Sequence, residues 1–194
     1  MKAKLVGWIE KTQGSFGDTV FKEKDGQTYI VRKPSERTSE YSEKEVATKK
    51  RWAIATDYYQ YVTLKPELLA MYEQASEATG KTVFMLCRND WLTPPEITDL
   101  KLGAYNGKPG DIIRIWTRDT IGVVDATVKI FDDDDFTVYE EGPAVPEVEG
   151  AKFAGFWQYT ATNSVPAGKS VVVEVVVHDH PGNKAWTSGE QVIK

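Results

Sequence analysis

The 194-residue sequence predicts two domains of different fold class, α+β over residues 1–93 and all-β over residues 94–194. Helical spacing of apolar residues before Thr93 gives way to strict alternation after Pro95. The charge balance changes at the same place. Residues 1–95 contain 15 Lys and Arg and 13 Asp and Glu, whereas residues 96–194 contain 9 Lys and Arg and 16 Asp and Glu. Because Thr93-Pro94-Pro95 disfavours helix and stiffens the chain, we place the domain boundary there.

A β-hairpin is predicted near the N-terminus. Two strand-like segments, 19–24 and 27–33, flank Asp25-Gly26, a dipeptide that suits the positive φ angles of a type I′ turn. The segment 4–10 is expected to add a third strand, and Pro34 ends the hairpin.

Three helices are predicted after the hairpin. The first begins with a capping box, Ser42 to Glu45, and runs to about Val62, with Val46, Ala53 and Tyr61 near one stripe. Pro66 suits the first turn of the second helix, and Gly80 suits its C-terminal end. The third spans residues 82–92.

The remaining hundred residues carry seven strand-like segments separated by turn residues. They are Glu96–Leu102, Asp111–Arg118, Val123–Phe131, Phe136–Glu140, Phe153–Thr162, Ser170–His178 and Lys184–Ile193. Seven short strands over this length are typical of an immunoglobulin-like β-sandwich. We therefore predict that fold for residues 94–194.

Alternation assigns the faces of these strands. The valines at 171, 173, 175 and 177 form one inward row, and Trp157 is expected to face them as the central core aromatic. Arg114, Trp116 and Arg118 share the outer face of their strand, and Tyr139 is expected to stand outside on its own.

The segment 176–185, Val-Val-His-Asp-His-Pro-Gly-Asn-Lys-Ala, resembles a hairpin near the end of many bacterial immunoglobulin-like domains. In those domains an Asp, a Gly-Asn pair and a small residue join the last two strands. Residues 14–34 and the capped helix are similar to uncharacterised bacterial and phage-associated structural proteins built from a Gly-rich hairpin and a helix pair. This second resemblance implies assembly rather than catalysis.

We predict no cofactor and no metal dependence. If a metal binds, the candidate ligands are Asp119, Asp133, Asp179 and His178. Asp133 lies in a run of four carboxylates at a turn, where calcium is one interpretation and a solvated loop the other. Asp179 and Asn183 are expected to satisfy turn amides through their side chains. His178 and His180 lack a third strong ligand nearby in the sequence.

Exposed aromatics are the candidate binding residues. Trp116 lies between Arg114 and Arg118, and Tyr139 is the other candidate, because aromatics beside arginines are enriched at protein contacts and stack on sugars. Packing of the N-terminal domain over that face is the alternative.

Composition and charge narrow the classes of partner that the protein could bind. The net charge of −5 and the short, interrupted basic segment at 32–37 argue against nucleic acid as a partner. The sequence shows no signal peptide and no membrane-spanning segment, which leaves a cytoplasmic or particle-associated location open.

The sequence favours a non-enzymatic structural or assembly protein that displays an immunoglobulin-like domain, as part of a phage-like or other large particle. Its expected partners are proteins, including copies of itself. No serine or cysteine is paired with a histidine as a hydrolytic triad requires, so we predict no enzyme. The alternative is a carbohydrate- or surface-binding module.

Overall fold

The computed structural model describes residues 14–24, 27–36, 38–147 and 154–194. Within these residues the protein has three helices and three antiparallel sheets, so it is a mixed α and β protein. The chain divides into two compact units, one ending at Glu45 and the other spanning Val46–Lys194. No helix among the described residues combines the length and apolar character needed to cross a membrane.

The first unit contains a three-stranded sheet in the order β1-β2-β3. Its strands are β1 (Gly14–Phe16), β2 (Thr19–Lys24) and β3 (Gln27–Arg32). Pairing runs from Thr19 opposite Arg32 to Lys24 opposite Gln27, so the predicted hairpin is confirmed. Its Asp25-Gly26 turn and the strand predicted at 4–10 lie outside the described residues. Strand β1 is an additional strand that the sequence pattern did not predict.

The helices are α1 (Glu43–Thr63), α2 (Pro66–Thr79) and α3 (Val83–Leu92), close to the predicted bounds. The Ser42 amide donates to the Glu45 carboxylate at 2.9 Å, and the Glu45 amide donates back to the Ser42 hydroxyl at 3.4 Å. Gly80 ends α2 with a φ of 68°, the left-handed conformation that glycine adopts without strain. Thr82 caps α3 by accepting from the Met85 amide.

The stripe predicted on α1 is not the face that the helix buries. The buried residues are Ala55, Tyr58 and Val62, whereas Val46 and Tyr61 are 52% and 51% exposed. At 100° per residue the two sets point in different directions around the helix. Apolar residues occur on both sides of α1, so periodicity alone does not identify its packed side.

The β-rich region forms two four-stranded antiparallel sheets. Sheet I has the order β4-β5-β9-β8, and sheet II has the order β11-β10-β6-β7. The strands are β4 (Glu96–Lys101), β5 (Ile112–Arg118), β6 (Val123–Asp132), β7 (Val138–Pro143), β8 (Val145–Pro146), β9 (Ala154–Thr160), β10 (Ser170–Asp179) and β11 (Lys184–Val192).

Two strand predictions need correction. The fourth predicted segment begins at Val138 and not at Phe136, because Phe136 has a φ of 60° and belongs to the preceding turn. An additional short strand, β8, pairs with β9 through Val145 opposite Gln158. Phe153, predicted to open the β9 strand, lies outside the described residues.

Both sheets contribute to one apolar core, which gives this region a sandwich-like arrangement. Sheet II supplies the valine row of β10, all four residues fully buried, and sheet I supplies Ile113, Ile115 and Trp157. Trp157 is 6% exposed, so its predicted inward orientation is confirmed.

A second core lies among the helices. Tyr58, Tyr72, Leu86 and Cys87 pack there with Ile121, which belongs to the loop between β5 and β6. This loop therefore links sheet I to the helices, and it contributes to the site described next.

Candidate functional site

Three aspartates from separate segments meet where the helices contact the ends of the two sheets. They are Asp90 in the last turn of α3, Asp119 immediately after β5, and Asp179 at the end of β10. One carboxylate oxygen of each lies within 4.8 Å of those of the other two. Asp90 and Asp179 are 0% and 2% exposed, and Asp119 is half-buried.

A chain of buried hydroxyl groups holds Asp90. The Tyr58 and Tyr72 hydroxyls are 3.0 Å apart, and the Tyr72 hydroxyl donates to Oδ2 of Asp90. Burial raises the pKa of both tyrosines, with the negative charge of Asp90 adding to the shift, so both remain protonated donors. Three helices are thereby connected through one carboxylate.

Asn183 holds Asp179 and joins the β10–β11 hairpin to α3. Its backbone amide donates to Oδ1 of Asp179 at 2.6 Å, and its side-chain amide donates to Oδ2 at 2.8 Å. The same side-chain nitrogen lies 3.2 Å from the carbonyl oxygen of Asp90. The predicted role of Asp179 in satisfying a turn amide is confirmed, whereas the Asn183 side chain donates to Asp179 and to α3 and satisfies no turn amide among the described residues.

Asp119 is held by its own turn. Its Oδ2 accepts from the backbone amides of Ile121 and Gly122 at 3.2 and 2.9 Å. This Asx-type turn places Ile121 in the core among the helices. The other carboxylate oxygen, Oδ1, takes no part in the hydrogen bonds of the turn.

The site has an excess of negative charge and two carboxylate oxygens without a partner. Oδ1 of Asp90 and Oδ1 of Asp119 are buried and accept no hydrogen bond from the part of the chain that the structure describes. Among the described residues, no lysine or arginine forms an ion pair with these carboxylates. Burial, with the nearby charge of Asp119, raises the pKa of Asp90 to about 8. Burial also raises the pKa of Asp179.

The structure brings together two of the four candidate metal ligands, Asp119 and Asp179. Asp133 is exposed in the turn between β6 and β7, and His178 contacts Asp125 at 2.8 Å. Strand β10 ends at Asp179 and its register shifts there, so His180 does not continue the extended spacing of His178. His180 lines a groove with Tyr61 and Leu68 instead.

Asp90 is the member of the site that the sequence interpretation missed. It follows Leu86 and Cys87 on the buried side of α3, so an acid occupied a helical position expected to be apolar. An acid at a helical position expected to be apolar is the feature of the sequence that could have identified Asp90 as a site residue, because a fully buried carboxylate requires a partner.

The acidic turn at 132–135 contains one buried carboxylate. Asp132 is 1% exposed and pairs with the Lys169 ammonium at 2.9 Å, while the Tyr139 hydroxyl donates to it at 2.7 Å. The next three aspartates are exposed. Lys169 therefore neutralises the one buried carboxylate of this turn.

The predicted binding residues occupy both sheets. Arg114, Trp116 and Arg118 lie together on the outer face of β5, where Trp116 makes an edge contact with Phe156 at 5.8 Å. Tyr139 belongs to β7 in the other sheet and packs partly against the core, so it does not stand free outside as expected.

No protein-family model matches the sequence, and no curated protein matches it. Among solved structures, the chain is similar to CopC from Methylosinus trichosporium OB3b at 17% sequence identity with a TM-score of 0.36. That similarity covers 52% of this chain and 93% of the CopC chain.

Proposed function

We propose that the protein is a non-enzymatic structural protein that assembles with copies of itself through α1. The observation that carries the proposal is a row of exposed residues, called the α1 stripe: Val46, Lys50, Ala53, Asp57, Tyr61 and Leu64. From Val46 to Tyr61 the steps are about four, three, four and four residues, which keeps these five residues on one side of the helix, and Leu64 follows in the turn after α1. Leu64 is 78% exposed, and Val46 and Tyr61 are about half exposed.

The α1 stripe is self-complementary in an antiparallel pair. With the two-fold axis between positions 53 and 54, Lys50 of one helix faces Asp57 of the other, and Val46 faces Tyr61. Ala53 lies at the centre, where a small side chain allows close approach of two helices. Such an interface uses the same patch twice, as two-fold dimers do. Opposite charges on both sides of the centre favour this register.

The buried acid cluster also favours a structural role. Asp90 and Asp179 are almost fully buried and are held by tyrosine and asparagine side chains, whereas turnover requires that a substrate reach the reacting groups. This arrangement fixes the helices to the ends of the sheets. A fixed helical layer presents α1 in a constant orientation.

The proposal includes an immunoglobulin-like fold for the two larger sheets. In that fold the first, second, fourth and fifth strands form one sheet, and the third, sixth and seventh form the other. Sheet I combines β4, β5, β9 and β8, and sheet II combines β11, β10 and β6, which supports this assignment. Strand β7 then corresponds to the additional strand beside the third.

Charge reversal tests the assembly. Wild-type protein is expected to be dimeric or larger by size-exclusion chromatography with light scattering, and Lys50→Glu or Asp57→Lys should shift it toward monomer. The double variant carrying both changes should recover the wild-type mass, because the pair is restored with reversed sign. Lys81→Glu, at an exposed position outside the stripe, is the matched control. A monomeric wild type, or a double variant no better than either single, contradicts the proposal.

A second candidate, a carbohydrate- or surface-binding module, is favoured by Trp186. This indole is 67% exposed on β11 and lines a shallow groove with Glu174, Val176 and Lys184. It is a more accessible platform than Trp116, which is half-buried against Phe156. Affinity electrophoresis in polysaccharide gels tests it: retardation should disappear in Trp186→Ala and persist in Trp116→Ala.

A further inference from the structure

We infer that Asp90, Asp119 and Asp179 form a binding site for one calcium ion, which fastens α3 to the ends of the two sheets. The inference is independent of the assembly through α1.

The three carboxylates lie close enough together to share one ion. The three carboxylates come from segments far apart in sequence, yet one oxygen of each lies within 4.8 Å of the others. Calcium binds oxygens at about 2.3–2.6 Å, so ligands on opposite sides of the ion are about 5 Å apart. A single ion placed between the three aspartates can therefore contact all of them.

Two buried carboxylate oxygens of the cluster lack a hydrogen-bond donor among the described residues. Asp90 is fully buried, and its Oδ1 accepts no hydrogen bond from any described residue although its Oδ2 accepts from Tyr72. Oδ1 of Asp119 is likewise buried without a donor. A buried carboxylate oxygen with no donor is costly, and a cation between the two satisfies both.

Each of the three carboxylates is held in place by hydrogen bonds from the protein. Tyr72 holds Asp90, Asn183 holds Asp179 through both carboxylate oxygens, and the turn amides hold Asp119. Each carboxylate is thus oriented by groups that persist without the ion. Asp119 is half-buried, so an ion and its remaining water ligands reach the cluster from that side.

The donor set selects the type of ion. The cluster consists of carboxylates, and no histidine or cysteine of the described residues belongs to it. Oxygen donors suit calcium and magnesium, whereas zinc prefers nitrogen and sulfur. Magnesium retains most of its waters and demands octahedral geometry, so a site with three converging buried carboxylates favours calcium.

A proton shared between Asp90 and Asp119 is the competing occupant. It also satisfies both orphan oxygens, because a protonated Asp90 donates to Asp119. The two occupants differ in one measurable respect, since only the cation site responds to calcium at constant pH.

The test uses the 194-residue chain after dialysis against EDTA and then against metal-free buffer at fixed pH. Calcium chloride should raise the melting temperature by about 5–10 °C at a hundredfold excess over its dissociation constant. Isothermal titration should give one calcium ion per chain, magnesium chloride should give a smaller rise, and zinc chloride should not substitute.

Two variants separate binding from folding. Asp119→Asn and Asp90→Asn each remove one charge and keep an acceptor oxygen, so both should fold without calcium and lose most of the melting shift. Asp134→Asn, in the exposed acidic turn, is the control and should keep the full shift. No saturable 1:1 binding to wild type, or an equal shift in Asp119→Asn and Asp134→Asn, overturns the site in favour of the shared proton.

Discussion

At the residue scale, the period-two pattern placed Trp157 correctly because one face of its strand is buried. Trp157 pairs in register with Ile115 and lies in the core below the valine row. Gly155, the preceding residue on the inward face, has no room for a side chain. A Cβ there would lie 2.7 Å from Oγ1 of Thr117 and 2.9 Å from Nε1 of Trp157. The indole therefore occupies the space that a larger residue at 155 would need.

Truncation of the two tryptophans of sheet I should have unequal effects. Trp157→Ala is expected to lower the free energy of unfolding by about 3–5 kcal/mol, because it removes buried surface and leaves a cavity. Trp116→Ala should cost less, since its indole is half-buried on the outer face against Phe156. Urea denaturation of both variants beside wild type measures the difference. Equal losses, or a larger loss for Trp116→Ala, would contradict the face assignment.

The acid cluster could be predicted only in part. Asp119 and Asp179 were candidates because both follow strands, and strand ends on one side of a sandwich come together. Asp90 was not, because its position depends on how α3 packs against the ends of the sheets. That packing depends on Ile121 and Asn183, whose contacts with α3 join segments about 35 and about 90 residues apart in the chain.

At the element scale, alternation and capping residues predicted nearly every helix and strand in the described residues. The exceptions have local causes. Strands β1 and β8 have three and two residues, too few to show alternation, and Phe136 adopts a positive φ that a sequence pattern does not reveal. The prediction of which side of α1 is packed was wrong because both sides of this helix carry apolar residues.

The turn between β6 and β7 should make the protein sensitive to acid. Lys169, together with the Tyr139 hydroxyl and the Asp134 amide, holds the pKa of Asp132 well below its usual range. A carboxylate with a lowered pKa in the folded state stabilises the protein above its unfolded pKa of about 3.9, and that contribution is lost as the pH falls below it. Melting temperatures between pH 7 and pH 2 should therefore fall steeply at the acid end.

Asp132→Asn is the variant that isolates this contribution. It should be less stable than wild type at pH 7, and the difference should shrink as the pH falls below about 4. Asp134→Asn, which changes an exposed neighbour, is the control. A difference between Asp132→Asn and wild type that stays constant with pH would show that the Lys169 pair does not contribute through charge.

At the scale of the whole molecule, the boundary predicted at Thr93–Pro95 is still a prediction about independent folding. A protein of residues 94–194 keeps both four-stranded sheets and their shared core, but it exposes Ile121 and removes the α3 partner of Asn183. We expect β-type circular dichroism and a cooperative melt at a lower temperature than that of the full chain. A spectrum of an unfolded chain would show that the sheets require the helices.

The central claim is that two copies pair through the α1 stripe with Ala53 at the centre. Disulfide trapping tests it most directly, because a disulfide requires Cα atoms about 4.4–6.8 Å apart. Under mild oxidation, Ala53→Cys should give a covalent dimer at low protein concentration, with the buried native Cys87 unreactive. Ala70→Cys, exposed on α2, should remain monomeric on a non-reducing gel. Equal cross-linking of the two variants, or none in Ala53→Cys, would contradict the account.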